Sequence, residues 1–283
     1  MIEYMKSPMK RESAMIKKWR ISIPSLTGLR HKRNAYIYVP DAWQNNPEAR
    51  YPVLYMFDGH NVFFDSDATY GKSWGMLDYM EYTQTPLIIA AVECNHSPKN
   101  GRLSEYSPYT FDDLTFGHVR GRGRTTMEWM AKRFKQEIDR RYPTISDREH
   151  TFIAGSSMGG LMSLYALLEY NHVFSRAAAL SPSLWVDPGR LHKLIRTAQL
   201  NPDTVLYMDY GSEELVNHND MLRLFNRSAS LLLERGVMLD CRIVPGGDHS
   251  EASWERQIPF FMNTLLYGME QESGGVSDGD TVL

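Results

Sequence analysis

In the stretch "FIAGSSMGGLMSLYALLEY", residues 152–170, an apolar run passes directly into a helix-like run. Small residues stand at the junction: Gly155, Ser156, Ser157, Gly159 and Gly160. A sharp reversal of the chain requires such residues, since a Cβ atom there would collide with the neighbouring strand or helix. The stretch therefore predicts a strand over 151–154, a tight turn and a helix.

The turn also fits a catalytic pattern. Residues 155–159 read G-x-S-x-G, with Ser157 at the central position. On a strand-to-helix reversal this position has strained backbone geometry, and its Oγ stands above the sheet. In an open α/β sheet the ligand crevice lies beyond the carboxyl ends of the strands. Ser157 is therefore the candidate nucleophile, and a simple glycine-rich turn is the alternative.

Strand-length apolar runs recur on both sides of this stretch. They cover 33–39, 53–57, 87–92, 151–154, 177–180, 205–208 and 240–244. Several are continuous rather than alternating, as expected for strands covered on both faces. Helical patterns lie between many of them, most clearly over 125–143, 219–235 and 254–267. This alternation predicts the α/β class, with a mostly parallel central sheet and helices on both faces.

The ends of two helices are marked by local signals. Thr125 and Glu128 have capping-box spacing, which predicts a helix start, and Pro143 ends that pattern. Gly236 ends the pattern over 219–235.

Composition limits the domain organisation and the partners. The chain has 283 residues, 42% of them hydrophobic, and this length and composition predict one domain over 1–268. Residues 1–18 are expected to be loosely ordered, and the polar, Gly/Ser-rich residues 269–283 to form a disordered tail. A net charge of −3 gives no reason to expect nucleic acid or an anionic membrane as partner. The oligomeric state, including a homo-oligomer, stays open.

Cysteine usage and the N-terminal residues bear on the compartment. Cys94 and Cys241 lie in strand-like runs, which predicts two buried free thiols. The first 19 residues are charged and lack the apolar core of a secretory signal, so a cytoplasmic location is expected. The paired carboxylates of FDSDATYG lack the rest of a calcium-loop pattern. No metal and no cofactor are therefore expected.

A serine nucleophile needs a base, which on this fold follows it in the chain. His249 lies in PGGDHSEASW, a loop-like segment directly after the run 240–244. At that edge of the sheet it can take the proton of Ser157 and later protonate the leaving group. The alternative interpretation is a surface-loop histidine.

The acid that orients this histidine is expected from VLYMDYGSEELVNHND, residues 205–220. Asp209, Glu213, Glu214 and Asp220 all compete for the role. Glu214 is favoured because it stands three residues past Gly211, where a side chain can reach the imidazole. Asp209 directly follows the strand and is the main alternative. A solvated acidic loop is the remaining interpretation.

The developing oxyanion needs preorganised N–H donors. One is expected from Met158, the residue after the nucleophile, and a second from the loop after an early strand. In YPVLYMFDGHNVFF the Asp58-Gly59 dipeptide ends a strand, so the backbone N–H of His60 is the candidate second donor.

Together these segments resemble the esterase-D-like branch of the α/β-hydrolases, which includes enterochelin, feruloyl and acetyl-xylan esterases and S-formylglutathione hydrolase. The resemblance covers roughly 36–267. The motifs that carry it, in chain order, are YPVLYMFDGHNVF, RLSEYSPY, GSSMGGLMSLYALLEY, SPSLW, YGSEE and GGDHSEASW.

The resemblance implies a single-domain α/β-hydrolase fold and assigns roles to the matching residues. Ser157 would be the nucleophile, Glu214 the acid and His249 the base. The N–H of His60 would help to bind the oxyanion. The chain departs from the pattern in one respect, because it carries Glu where many relatives carry Asp, with Glu213 beside it.

The resemblance further implies that RLSEYSPY and SPSLW border the pocket. Tyr106 and Trp185 could then stack on a sugar or phenolic ring, and Arg102 could hold a polar or carboxylate group. The alternative is structural, with Arg102 paired to Glu105 and Trp185 filling the core.

The functional hypothesis is a metal-free serine esterase that forms an acyl-enzyme on small or sugar/phenolic acyl esters of acetyl, feruloyl or siderophore type. An acyltransferase would use the same triad with an alcohol as acceptor. A non-catalytic binding protein that retains the fold is the third hypothesis.

Overall fold

A computed structural model of the protein describes residues 15–215 and 220–269. The strands in these residues are β1 Met15–Ser22, β2 Lys32–Val39, β3 Val53–Met56, β4 Ile88–Val92, β5 Phe111–Asp113, β6 Gly117–Val119, β7 Thr151–Ser156, β8 Arg176–Leu180, β9 Val205–Gly211 and β10 Met238–Val244. The predictions for 1–14 and 270–283 concern residues outside the described part of the chain, whereas residues 15–18 belong to β1.

A mixed sheet organises the molecule. Its strand order is β1-β2-β4-β3-β7-β8-β9-β10, and β5 pairs with β6 in a separate two-stranded sheet. From β4 to β10 every neighbouring pair is parallel, whereas β1–β2 and β2–β4 are antiparallel. The predicted α/β class with a mostly parallel central sheet is confirmed. The carboxyl ends of β3, β4, β7, β8, β9 and β10 consequently lie at one edge of the sheet.

The helices, in chain order, are α1 Pro24–Thr27, α2 Ala42–Asn45, α3 Met76–Thr83, α4 Gly101–Glu105, α5 Gly123–Trp129, α6 Lys135–Arg141, α7 Met158–Glu169, α8 Pro188–Thr197, α9 Ser212–Leu215, α10 Met221–Glu234, α11 Glu251–Glu255 and α12 Ile258–Leu266. A π-helical segment, Met130–Phe134, joins α5 to α6, and a 3-10 turn covers Gly59–Asn61. None of the described helices combines the length and the apolar character that crossing a membrane would need.

Both faces of the sheet are covered, as the continuous apolar strands predict. One face packs against a layer that includes α5, α6, α7, α8 and α10, with residues such as Phe134 and Leu161 fully buried. The other face packs against α3, α11 and α12, where Met80 and Phe261 are fully buried. Residues of β3 and β7 are buried on both faces, so these strands form the centre of the core.

The predicted start of the long helix is wrong. It begins at Gly123 rather than at the Thr125 capping box, and its cap makes no side-chain hydrogen bond. The Gly123 N–H donates to the Ser107 carbonyl at 2.7 Å, and a Cβ at Gly123 would lie 2.7 Å from Pro108 N. This close tertiary approach, rather than a local cap, sets where the helix begins.

The predicted helix over 254–267 is two helices. Ser250 caps α11, its side chain accepting from Ser253 N–H, and the chain turns before α12 begins. Pro259 occupies the first turn of α12, where its missing N–H costs nothing.

One of the two cysteine predictions is wrong. Cys94 is a buried free thiol, but Cys241 is exposed. The reason is topology, since β10 lies at one edge of the sheet and most of its residues are at least partly accessible.

Candidate active site

Ser157 lies at the reversal between β7 and α7 with backbone angles φ 59° and ψ −122°. A positive φ is uncommon for a residue with a side chain and marks stored backbone strain. Its N–H donates to the Leu180 carbonyl of β8 at 2.9 Å, which ties the turn to the neighbouring strand. This is the geometry of a nucleophile elbow.

The glycines around Ser157 are required by close packing. A Cβ at Gly155 would lie 2.8 Å from the backbone of Gly159, and one at Gly160 would lie 2.7 Å from the Leu180 carbonyl oxygen. Backbone atoms cannot move away cheaply, so larger residues would deform the turn. The small residues at this junction therefore have the steric reason that the sequence predicts.

His249 and Glu214 meet at the same edge of the sheet. Nδ1 of His249 lies 2.6 Å from Oε2 of Glu214, whose side chain is only 4% exposed. Oε1 of Glu214 accepts from Ser181 Oγ at 2.6 Å and from Gly211 N–H at 3.0 Å. Three contacts thus fix the carboxylate, and the carboxylate in turn orients the imidazole.

The competing acids have other surroundings. Asp209 is buried and accepts from Tyr207 Oη at 2.8 Å and from Ser181 N–H at 3.1 Å. Glu213 is exposed, and Asp220 pairs with Arg223 at 3.1 Å. In the described part of the chain, Glu214 is the acid in contact with His249.

The buried carboxyl of Asp209 makes the stability of the folded protein depend on pH. Burial raises its pKa to about 7, while the hydrogen bonds from Tyr207 and Ser181 oppose the shift. The folded carboxyl therefore keeps its proton between about pH 4 and about pH 7, where an unfolded aspartate (pKa about 3.9) has lost it. Asp209 therefore contributes fully to the free energy of unfolding below the unfolded-state pKa of about 3.9. This contribution is lost as the pH rises to about 7.

Asp209→Asn cannot ionise and so does not lose stability in this way. Relative to the unmodified protein, its free energy of unfolding should increase by on the order of 2–4 kcal/mol between about pH 4 and about pH 8. Urea unfolding across this pH range measures the difference. A difference that stays constant with pH would contradict the buried, protonated carboxyl.

A buried network behind the imidazole was missed by sequence reasoning. Trp254 Nε1 donates to Ser181 Oγ at 3.0 Å, and its ring packs edge-on against His249 with centroids 5.1 Å apart. Ser181 in turn contacts Glu214. Both residues belong to the motifs SPSLW and GGDHSEASW, which would have been the signal for them. These contacts hold the Glu214 carboxylate and the His249 imidazole in position.

The candidate oxyanion donors come from two turns at this edge. Asp58 has a left-handed conformation (φ 53°) and leads into the 3-10 turn that carries His60. A Cβ at Gly59 would lie 2.8 Å from Val92 N, so the turn lies directly on β4. Met158 is the first residue of α7, where a backbone N–H has no acceptor within the helix. The two N–H groups are thus positioned by a turn and by a helix start.

Arg102 is at the cavity wall but has a protein partner. Its Nε and Nη2 donate to the two carboxylate oxygens of Asp58 at 2.9 and 2.7 Å. Burial alone would raise the pKa of Asp58, but the charge and hydrogen bonds of Arg102 outweigh it and lower the pKa. Glu105 pairs instead with Arg33 at 2.7 Å, so the expected structural pair Arg102–Glu105 is wrong. Arg102 holds the turn that presents His60.

Tyr106 and Trp185 do not lie in the cavity wall. Tyr106 is 2% exposed, and its hydroxyl accepts from the Asp58 N–H at 3.1 Å, so it supports the turn that carries His60. Trp185 packs against Phe111 and Phe116 of the β5–β6 hairpin, with centroids 5.5 and 6.4 Å away. The burial of Tyr106 rules out stacking of that ring on substrate, and the half-buried Trp185 is not among the residues that line the cavity around Ser157.

The candidate residues share one cavity of about 560 Å³. Ser157, His249, His60 and Arg102 all line it, and Glu214 lies behind His249. Ser157 and His249 both line the cavity, but no hydrogen bond joins their side chains in the described residues. Hydrogen bonds of this kind are often long in unliganded active sites and tighten only when substrate binds.

Glu251 is a second carboxyl in this cavity that sequence reasoning missed. It is buried and accepts from Asn61 Nδ2 at 2.9 Å, and burial raises its pKa. Its position two residues after His249 was the available signal.

Arg102→Gln tests the role of Arg102 as a support. It leaves the Asp58 carboxylate buried without its cation, so we expect roughly 2–3 kcal/mol less stability, at the low end because Arg102 is partly exposed. Urea unfolding measures the loss, and Asp58→Asn/Arg102→Gln should recover part of it. Unchanged stability with a raised KM for anionic esters would show instead that Arg102 binds substrate.

Comparisons with known proteins show which family and fold the chain resembles. The family model described as "Putative esterase" matches residues 27–262. "Uncharacterized protein YbbA" of Bacillus subtilis (strain 168) is 24% identical over 255 residues, which cover 85% of this chain and 95% of that protein.

Solved structures share the fold. The enterobactin esterase FES from Shigella flexneri, solved in the presence of enterobactin, superposes with a TM-score of 0.70 at 17% identity over 90% of this chain and 60% of that one. The siderophore hydrolase EstA from Aspergillus nidulans superposes with a TM-score of 0.66 at 17% identity over 93% of this chain and 100% of that one.

Proposed function

The chain belongs to the family described as "Putative esterase", and from this premise we propose that it is a serine carboxylic-ester hydrolase that works through an acyl-enzyme. The observation that carries the proposal is the 2.6 Å contact between Glu214 and Nδ1 of His249, a histidine that lines the same cavity as Ser157. A nucleophile, a base and an orienting acid on separate segments at one sheet edge are the parts that this chemistry needs.

The acylation step follows from these positions. His249 Nε2 takes the proton of Ser157 Oγ as that oxygen attacks the ester carbonyl carbon. The carbonyl oxygen gains the negative charge, and the N–H groups of Met158 and His60 stabilise it. When the intermediate collapses, the C–O bond to the alcohol breaks, and His249 gives its proton to the leaving alkoxide.

Deacylation repeats the sequence with water. His249 Nε2 takes a proton from water, whose oxygen attacks the acyl carbon bound to Ser157. Collapse releases the carboxylic acid, and the proton returns to Ser157 Oγ. Throughout both steps Glu214 stays ionised, accepts from Nδ1 and stabilises the imidazolium.

The proposed substrates are small acyl esters of acetyl, feruloyl or siderophore type. The cavity of about 560 Å³ suits a molecule of drug-like size. Its wall mixes polar groups such as Asn95 and Ser97 with the ring of Trp254, which matches an ester that bears hydroxyl or phenolic groups. A cytoplasmic location remains a prediction from the sequence, and cell fractionation tests it.

Turnover of p-nitrophenyl acetate and butyrate tests the activity, and acetylated sugars, feruloyl esters and catechol-siderophore esters then test the substrate class. We expect hydrolysis of the p-nitrophenyl esters and a clear preference within the second panel. Absence of turnover on every ester would contradict the proposal and favour a binding protein. Transfer of the acyl group to an added sugar, in preference to water, would identify an acyltransferase.

A further inference from the structure

Three potential metal ligands meet beside the proposed oxyanion turn. His60 follows β3, whereas Cys94 and His96 follow the neighbouring β4. One ring nitrogen of each histidine and the Cys94 Sγ all lie within 4.8 Å of one another. We propose that His60, Cys94 and His96 bind a divalent cation of the zinc class at the wall of the active-site cavity.

The donor set selects the class of cation. One thiolate and two imidazoles are ligands that Zn²⁺ prefers, whereas Mg²⁺ and Ca²⁺ prefer oxygen. Typical Zn–N and Zn–S lengths put the ligand atoms of a tetrahedral site roughly 3.3–3.8 Å apart. The three ligand atoms lie at most 4.8 Å apart, so reaching this spacing needs a contraction of at most about 1.5 Å. Rotation of the exposed His96 can contribute to it.

The orientation of His60 is an independent indication of a ligand. This side chain is 5% exposed, and its Nδ1 is buried without a hydrogen-bond partner in the described chain. Buried polar atoms are normally satisfied, so this one calls for a partner. Nε2 lies 2.9 Å from Thr69 Oγ1, and a tautomer that donates there leaves Nδ1 with a lone pair.

The surrounding charges permit a bound cation. The nearby Arg102 is already paired with Asp58, so its positive charge is compensated. Binding displaces the Cys94 thiol proton to solvent, and the thiolate becomes the third ligand. Three protein ligands leave a fourth position for water or a solute.

Occupation of this site should slow ester hydrolysis, an expectation that rests on the proposed function. The backbone N–H of His60 is the second proposed oxyanion donor, and His60, Cys94 and His96 line the same cavity as Ser157. A cation held by the His60 ring would constrain this turn and occupy space beside the ester. Metal binding itself does not depend on whether the chain hydrolyses esters.

Titration with Co²⁺ and Zn²⁺ tests the site on the full-length protein. We expect one equivalent of Co²⁺ to bind with a thiolate-to-cobalt charge-transfer absorption, and Zn²⁺ to displace it. Cys94→Ser should remove the absorption, and His96→Asn should weaken binding at least about tenfold. Cys241→Ser and His118→Asn, at an exposed thiol and an exposed imidazole, are matched controls and should bind like the unmodified protein.

The results test metal binding and its effect on ester hydrolysis separately. Equal binding by Cys94→Ser and His96→Asn would move the cation elsewhere and overturn the proposal, as would loss of the absorption in Cys241→Ser or failure to bind one equivalent. His96 is exposed, so its variant stays informative even if Cys94→Ser misfolds. Zn²⁺ should inhibit p-nitrophenyl acetate hydrolysis by the unmodified protein more than by His96→Asn. Intact binding without inhibition would overturn only the effect on hydrolysis.

Discussion

Ser157→Ala is expected to reduce kcat for p-nitrophenyl acetate by about a thousandfold to a millionfold, because no other group then accepts the acyl chain. The fold should be unaffected. The left-handed backbone at 157 (φ 59°) strains alanine no more than serine, and the turn is held by the backbone bond from Ser157 to Leu180. Steady-state kinetics and the urea unfolding midpoint measure the two quantities.

A matched control shows that the loss belongs to position 157. Ser230→Ala removes an exposed hydroxyl of α10, which bonds to the Asn226 carbonyl at 2.9 Å far along the chain from the elbow. Its kcat should equal that of the unmodified protein. If Ser157→Ala retained activity with an unchanged fold, Ser157 would not be the nucleophile.

Glu214→Gln is expected to lower kcat by about a thousandfold to ten-thousandfold. The carboxylate accepts from His249 Nδ1 at 2.6 Å, whereas the amide of glutamine can present an N–H to the same atom. The imidazole would then carry its proton on Nε2 and could not take the proton of Ser157. The loss should appear in kcat more than in KM, because the change affects proton transfer rather than substrate contacts.

The neighbouring acids are the controls for this prediction. Glu213→Gln alters an exposed carboxylate, and Asp209→Asn alters a buried one that contacts Tyr207 and Ser181 rather than His249. Both should lower kcat by less than about tenfold. If either variant lost more activity than Glu214→Gln, the role of the orienting acid would move to that residue.

The central strands and the edge strand β10 could be predicted from the sequence because they contain apolar runs. The edge strand β1 and the β5–β6 hairpin could not. β1 carries lysine and arginine between partly buried residues, as an exposed antiparallel strand does, and β5 and β6 have only three residues each, too few for a recognisable pattern. The exposure of Cys241 was missed as well, since local composition does not show which strand lies at the edge.

The candidate site also has parts that the sequence could predict and parts that it could not. Ser157, His249 and His60 are tied to local patterns, a turn or a loop after a strand, and all three line one cavity. Partner choices depend on contacts across long sequence separations. Arg102 pairs with Asp58 rather than Glu105, and Trp254 reaches Ser181, which no local spacing indicates.

Covalent labelling with a fluorophosphonate, followed by peptide mapping, tests the proposed nucleophile most directly. The reagent loses fluoride as the serine oxygen bonds to phosphorus, so it marks an activated hydroxyl. We predict one adduct, on Ser157, with esterase activity lost in proportion to labelling and no adduct in Ser157→Ala. An adduct on another residue, or full inactivation without one on Ser157, would contradict the assignment.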